Sequence, residues 1–250
     1  KSISNNVIFS FLVDRKGNLW IGTLNGLNKY NPASDDFTQI LNVAGKKRDR
    51  FNSVNCLTED YSGNMWAATW DGVTCFKKDG TKQYLKLPPN DINTLMKSEV
   101  ISIIEDMQHN LWFGTRLRGL FKYNIKNGAF VSYTSNIKQN SLSSNYIKCI
   151  FQDSHENLWI GTNNGLNLYN YFTNDFVVFK NDPAEPLSIS SNKILSIFQD
   201  KTGVLWVGTD NGANKCFISN SSFKFIPAFM PDSQAENSVH SISMDHENNL

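Results

Sequence analysis

A chain of 250 residues, 40% apolar and 19% charged, can bury a sizeable core, and all-β folds of this length often form one domain. Its formal net charge of +1 gives no electrostatic reason to expect nucleic acid or an anionic membrane surface as partner. No apolar run approaches the roughly 18 residues needed to cross a bilayer, and the opening segment is not a signal peptide, so this stretch is not expected to insert itself and any leader or anchor is expected outside it.

In chain order the pattern is one of short strands in repeating units. The first unit, about 3–41, opens with the apolar VIFSFLVD ending at Asp14, turns through Gly17, and continues with LWIGT around Trp20. An Asn25-Gly26 hairpin signal, a strand ending at Tyr30 and the looser DFTQI complete it. The second unit, about 51–87, repeats this as SVNCLTED to Asp60, Gly63, MWAAT, Asp71-Gly72, a strand to Phe76, and KQYLKL. The third, about 98–134, runs EVISIIED to Asp106, His109, LWFGT, a strand to Tyr123 and AFVSY; its loop from Thr115 to Leu120 holds one extra residue and is expected to bulge. The fourth, about 145–180, and the fifth, about 192–227, follow with Asp153 and Asp200, Glu156 and Gly203, LWIGT and LWVGT, Asn164-Gly165 and Asn211-Gly212. A sixth, 238–250, begins with a strand leading to Asp245.

The tryptophans at 20, 66, 112, 159 and 206 are spaced 46, 46, 47 and 47 apart. A fixed period of roughly 20 to 50 residues decides an architecture, because a unit that cannot bury its own faces must stack on its neighbours. Four antiparallel strands per unit predict an all-β fold, a β-propeller of five four-stranded blades plus the first strand of a sixth. Apolar or small residues on both parities of the first strands predict burial on both faces. The small column Ser10, Cys56, Ser102, Cys149, Ser196 and Ser241 is expected where first strands crowd together, and the column Gly22, Ala68, Gly114, Gly161, Gly208 where aromatics of the adjacent sheet need room. Asn-Gly and Asp-Gly predict type I′ hairpins with both residues at positive φ. The Asp column reads as turn closers, and Asn6, Asn52, Asn145, Asn192 and Asn237 as loop caps. Cys56, Cys75, Cys149 and Cys216 are expected as free thiols.

The consensus D-x-x-G-N-L-W-I-G-T-x-x-G-L-x-x-Y, approached by Ser/Asn-rich links such as LSISSN at Leu187, resembles the two-component regulator propeller repeat of hybrid two-component sensors. The resemblance implies a piece of a seven-bladed ring on the periplasmic side of the inner membrane, followed in the whole protein by a β-sandwich, a transmembrane helix and a histidine kinase. It implies an oligosaccharide as ligand and a homodimer, or further domains of the same chain, as partner. Five blades and a strand leave a ring open, so its closure is expected from unlisted sequence or a second chain.

Chemistry that repeats once per blade is structural, whereas function sits where one copy departs from the others. The carboxylates define the repeat and do not form a catalytic pair. His109, His155, His240 and His246 match no metal spacing, and no nucleophile elbow, phosphate loop or cofactor motif is present, so no catalytic residue, metal or cofactor is expected. The departures fall in the turns between second and third strands: Trp70 and the neighbouring Asp71, Arg116 and Arg118 about the bulged loop, and Asn163 and Asp210 at the matching places. Trp stacks on a sugar face and Arg forks onto a carboxylate, sulfate or hydroxyl pair; the same Trp can equally pack on a link between blades. The basic loop Gly45 to Arg50 is read as a solvated link that can contact an acidic glycan or a subunit. The leading reading is a sensory propeller that binds an oligosaccharide, the alternative a non-catalytic interaction or dimerisation scaffold; a propeller lyase or hydrolase ranks last.

Overall fold

The computed structural model describes residues 1–40, 52–70, 72–79, 81–83, 85, 95, 98–137, 140–217, 222–226 and 238–245. Among these the strands form five four-stranded antiparallel sheets, each a meander in chain order. The first holds β1 (Ile8–Val13), β2 (Leu19–Thr23), β3 (Gly26–Asn31) and β4 (Asp36–Gln39); the second holds β5 (Val54–Glu59), β6 (Met65–Thr69), β7 (Gly72–Phe76) and β8 (Lys82–Gln83). The third comprises β9 (Val100–Glu105), β10 (Asn110–Thr115), β11 (Leu120–Asn124) and β12 (Phe130–Tyr133). The fourth comprises β13 (Ile147–Gln152), β14 (Leu158–Thr162), β15 (Gly165–Asn170) and β16 (Asp175–Phe179), and the fifth β17 (Ile194–Gln199), β18 (Leu205–Thr209), β19 (Gly212–Phe217) and β20 (Ser222–Ile226). This is the blade meander of a β-propeller. The chain divides into two compact units, Lys1–Ser132 and Tyr133–Leu250.

Within the first unit, β5 lies against β1 and β2, and β9 against β5 and β6; within the second, β17 lies against β13 and β14. The cores form at these junctions. Leu27, Val54, Leu57, Met65, Ala67 and Phe76 join sheets one and two, with Leu12 and Trp20 at their margin. Trp159, Leu166, Ile194, Leu205 and Val207 join sheets four and five.

The small columns serve each other. Ser10 pairs with Gly22, Cys149 with Gly161 and Ser196 with Gly208. A Cβ on Gly161 would meet Cys149 Sγ at 2.5 Å and Ile194 Cγ2 at 2.7 Å; one on Gly22 would meet Ser10 Oγ at 2.3 Å and Val54 O at 2.7 Å. The glycine thus admits the small residue of its own first strand and the β-branched residue that opens the next sheet, not an aromatic.

Three further expectations are corrected. In the hairpins Gly26, Gly72, Gly165 and Gly212 lie at positive φ, whereas Asn25, Asn164 and Asn211 do not, so these are not type I′ turns. The turn proper is the pair before the glycine, and the threonine that ends the second strand holds it: Thr23 Oγ1 accepts the Asn25 N–H at 3.2 Å and donates to Gly26 O at 3.0 Å. The third sheet, with three loop residues, closes through Thr115 Oγ1 donating to Gly119 O at 2.8 Å, the expected bulge. β8 pairs over Lys82–Gln83; Tyr84, Lys86 and Leu87 of the KQYLKL segment lie outside the described residues. β1 is not buried on both faces: Phe11 and Val13 are 63% and 64% exposed, because no sheet of the first unit covers the face that β5 and β9 turn toward their predecessors. Residues 238–245 form no sheet ladder, yet Val239 stands over Gly208 as Val54 stands over Gly22, and its N–H donates to Thr209 O at 2.8 Å. Asn237, His246 and Asn248 lie outside the described residues.

Candidate functional site

The Asp turns are built alike in all five sheets. Asp106 Oδ1 accepts the N–H groups of Gln108 and Asn110, and Oδ2 accepts the Trp112 indole N–H at 2.7 Å. The same indole bond recurs at Asp14–Trp20, Asp60–Trp66, Asp153–Trp159 and Asp200–Trp206, at 2.8 to 2.9 Å. The residue three after each Asp takes positive φ whether it is Gly17, Gly63 and Gly203 or His109 and Glu156. An asparagine four residues after the Asp adds its amide to the carboxylate in the first four sheets; in the fifth Val204 stands there and Thr202 Oγ1 donates instead, at 2.6 Å. With both oxygens of each engaged, these carboxylates are fixed structural acceptors. Burial alone would raise the Asp14 carboxyl, but its hydrogen bonds from Trp20 and Asn18 outweigh that and hold it below its ordinary value.

A second network escaped the sequence reading. Ser4 N–H donates to Asn28 Oδ1 at 2.9 Å, Asn28 Nδ2 donates to Ser4 Oγ at 2.8 Å, and Ser4 Oγ meets Thr23 Oγ1 at 2.9 Å. Ser143, Asn167 and Thr162 repeat this, as do Ser190, Asn214 and Thr209. The constant separations of 19 and 24 residues were its sequence signal. Asn145 and Asn192 cap loops, accepting the N–H groups of Ser135 and Asn181.

The sequence-predicted ligand residues do lie beside the links between sheets. Gly72 N–H donates to Ser98 O at 2.9 Å and Arg116 N–H to Glu99 O at 3.0 Å, so the turns of Trp70 and Arg116 adjoin one link in the first unit. Trp70 is half-buried; Asp71 and the basic loop 45–50 lie outside the described residues. Arg116 pairs with Glu99 at 3.1 Å. Arg118 is exposed, its N–H on Thr115 Oγ1 at 2.9 Å. In the second unit, exposed Asn163 donates its N–H to Tyr146 O at 3.2 Å, and Asp210 pairs with Lys193 at 3.6 Å.

A cleft of about 470 Å3 opens at the opposite ends of the strands, between sheets one and two. Trp20, Ile40, Met65 and Phe76 give it an apolar floor, and Lys16, Lys29, Lys77 and Lys78 line it. Trp20 is half-buried, whereas Trp112 and Trp159 are 0% and 1% exposed. Lys29 Nζ lies 5.5 Å from the Trp20 ring centre. Among the described residues no His, Cys, Asp and Glu side chains gather as a metal site.

The pattern that defines the two component regulator propeller matches at residues 2–25, 50–71, 94–116, 141–164 and 188–211, once at the head of each sheet. The chain belongs to the two-component regulator propeller family. No curated protein matches it. Among solved structures this propeller is similar to the extracellular domain of a hybrid two-component system of B. thetaiotaomicron, at 24% identity and a TM-score of 0.56, covering 99% of this chain and 38% of that one. A second such extracellular domain from the same organism matches at 20% identity and a TM-score of 0.55, covering 93% and 36%. Virginiamycin B lyase from Staphylococcus aureus matches at 18% identity and a TM-score of 0.68, covering 93% and 74%. At these identities the likeness shows the propeller fold alone. The chain spans a little over a third of the two extracellular domains, and one fold hosts both regulators and a lyase.

Proposed function

We propose that this propeller is a non-catalytic, ligand-sensing part of a periplasmic hybrid two-component sensor histidine kinase, and that it responds to an oligosaccharide. The observation that carries the reading is the fivefold match to the regulator propeller, one per sheet; the solved extracellular domains of hybrid two-component systems support the compartment. Catalysis is disfavoured because the conspicuous carboxylates are held identically in every sheet by turn and indole donors. Ligand contact is proposed at the turns between second and third strands, taken unit by unit: Trp70, Arg116 and Arg118 in the first, with Asp71 next to Trp70 in the sequence, and, separately, Asn163 and Asp210 in the second. Such turns signal when their ligand binds one arrangement of the whole sensor better than another.

A thermal-shift panel of oligosaccharides tests this. A ligand at 100 times its Kd adds about 2.7 kcal/mol of stability, and Trp70→Ala is expected to remove the gain. The alternative is a non-catalytic interaction or dimerisation scaffold with the ligand bound elsewhere. Dimerisation that rises with concentration, with no glycan giving a shift, would establish that reading instead.

A further inference from the structure

We propose that the cleft between sheets one and two is a second binding site, for an anionic sugar: a pyranose bearing a carboxylate or sulfate. This rests on the reading that the propeller binds glycans but not on the turn face. Its basis is where the repeat is broken. Lys16 stands where the other copies have Ser62, Gln108, His155 and Thr202; Lys77 stands where they have Asn31, Asn124, Asn170 and Phe217; Lys78 stands where they have Pro32, Ile125, Tyr171 and Ile218. None of those alternatives, nor Glu247 two residues after Asp245 in the sixth copy, is a lysine or arginine. Three independent departures of one sign, from two different turns of two sheets, converge on a single cleft. Repeat structure does not need them, since the other copies close their turns without them.

The cleft lining carries four lysines against the three carboxylates Asp14, Glu59 and Asp79, one net positive charge. None of Lys16, Lys29, Lys77 and Lys78 forms an ion pair among the described residues. The three carboxylates that line the same cleft are engaged by donors of their own: Asp14 as above, Glu59 by the Arg15 N–H at 2.8 Å, and Asp79 by the Thr81 hydroxyl and N–H at 2.7 and 2.8 Å. The lysine ammonium groups keep their donors unused among the described residues. Beneath them lies an apolar floor, and half-buried Trp20 is less covered than its equivalent Trp66, which at 5% exposure packs near Phe113. A cationic rim over an aromatic floor suits a molecule with one apolar face and a charged edge, and the C–H face and carboxylate of a uronic acid supply both. The volume of about 470 Å3 admits one or two sugar rings.

The test is calorimetric titration of the 250-residue chain with a trimer of galacturonic acid, its neutral galactose counterpart, a sulfated trisaccharide and sodium sulfate, at 50 and 500 mM salt. The expected result is binding of an acidic trimer that weakens at least tenfold between the two salts and at least tenfold in K16Q/K77Q/K78Q, but not in Trp70→Ala. Lys16, Lys77 and Lys78 are exposed and unpaired in the sense above, so the triple variant is expected to keep its melting temperature. Equal affinity in the triple variant, equal affinity for the neutral trimer, or sulfate alone competing as well as the acidic sugar would each overturn the assignment. If a neutral glycan binds and only Trp70→Ala abolishes it, the cleft fails and the sensing reading stands; if no glycan binds at all, both fail.

Discussion

A tryptophan indole carries one N–H, and burying it without an acceptor wastes a hydrogen bond. The Asp six residues earlier solves that problem in every sheet, and the same carboxylate also closes the turn, so one side chain fixes both the strand entry and the ring. The cost of breaking the pair should follow burial. Trp112 and Asp106 are 0% and 3% exposed, so Trp112→Phe strips a donor from a carboxylate that water cannot reach and is expected to cost about 2–3 kcal/mol. Trp206 and Asp200 are half-buried, and Trp206→Phe is expected to cost about 1 kcal/mol. Burial acts to raise the Asp200 carboxyl, but hydrogen bonds from Thr202, Trp206 and Val204 outweigh it and the value is lowered. A lowered folded value means the stabilisation is present above the unfolded value near 3.9 and is lost as pH falls through the folded one. Urea unfolding from pH 7 downward should therefore show the Trp206→Phe penalty constant to about pH 4 and shrinking below it; equal penalties for the two variants, or a penalty that grows on acidification, would refute the account. Sequence showed the Asp column and the Trp column separately and gave the turn role correctly. Their bond was hidden because a spacing of six residues across a turn is invisible to a period-two strand pattern.

At the scale of strands, the columns of small residues were legible but their cause was not. Periodicity reveals that a position tolerates little volume; which neighbour supplies the missing volume is decided by the register of β13 on β14 and by how the next sheet sits. Here it is Cys149 and Ile194 that converge on Gly161. Gly161→Ala is expected to destabilise the chain by about 1–3 kcal/mol through overpacking. Gly161→Ala combined with Cys149→Ala should cost less than the sum of the singles, since the second change vacates the space the new Cβ needs. Chemical denaturation of the four proteins gives the coupling directly, and strict additivity would show that the close approach does not govern this site. The hairpins teach a similar lesson. Asn-Gly located each turn correctly, but the neighbouring threonine hydroxyl, acting on both sides of the loop, selects a turn in which the glycine alone needs positive φ.

At the scale of the chain, a period of 46 to 47 residues was enough to read five sheets, because each repeat carries its own turn chemistry. What a period cannot say is which residues of a given copy depart from the rest, and β1 shows one such departure. In β5 and β17 the first-strand face toward the preceding sheet ends in Glu59 and Gln199, which accept turn N–H groups from Arg15 and Ser154 of that sheet at 2.8 Å. In β1 the matching residue is Val13, which accepts nothing, and Phe11 precedes it on the same face. The search for odd residues, confined to one set of turns, passed over this face and over the lysines of the cleft alike. An exposed apolar face is prone to association, and for the 250-residue stretch taken alone the occupant expected here is the same face of a second copy. Sedimentation of the 250-residue chain should then show a weight-average mass that rises with concentration. Phe11→Glu with Val13→Glu should return it toward the monomer without lowering the melting temperature, because both side chains are more than half exposed already. A chain that stays monomeric at high concentration, or a double variant that associates as strongly as its parent, would show that this face does not drive self-association.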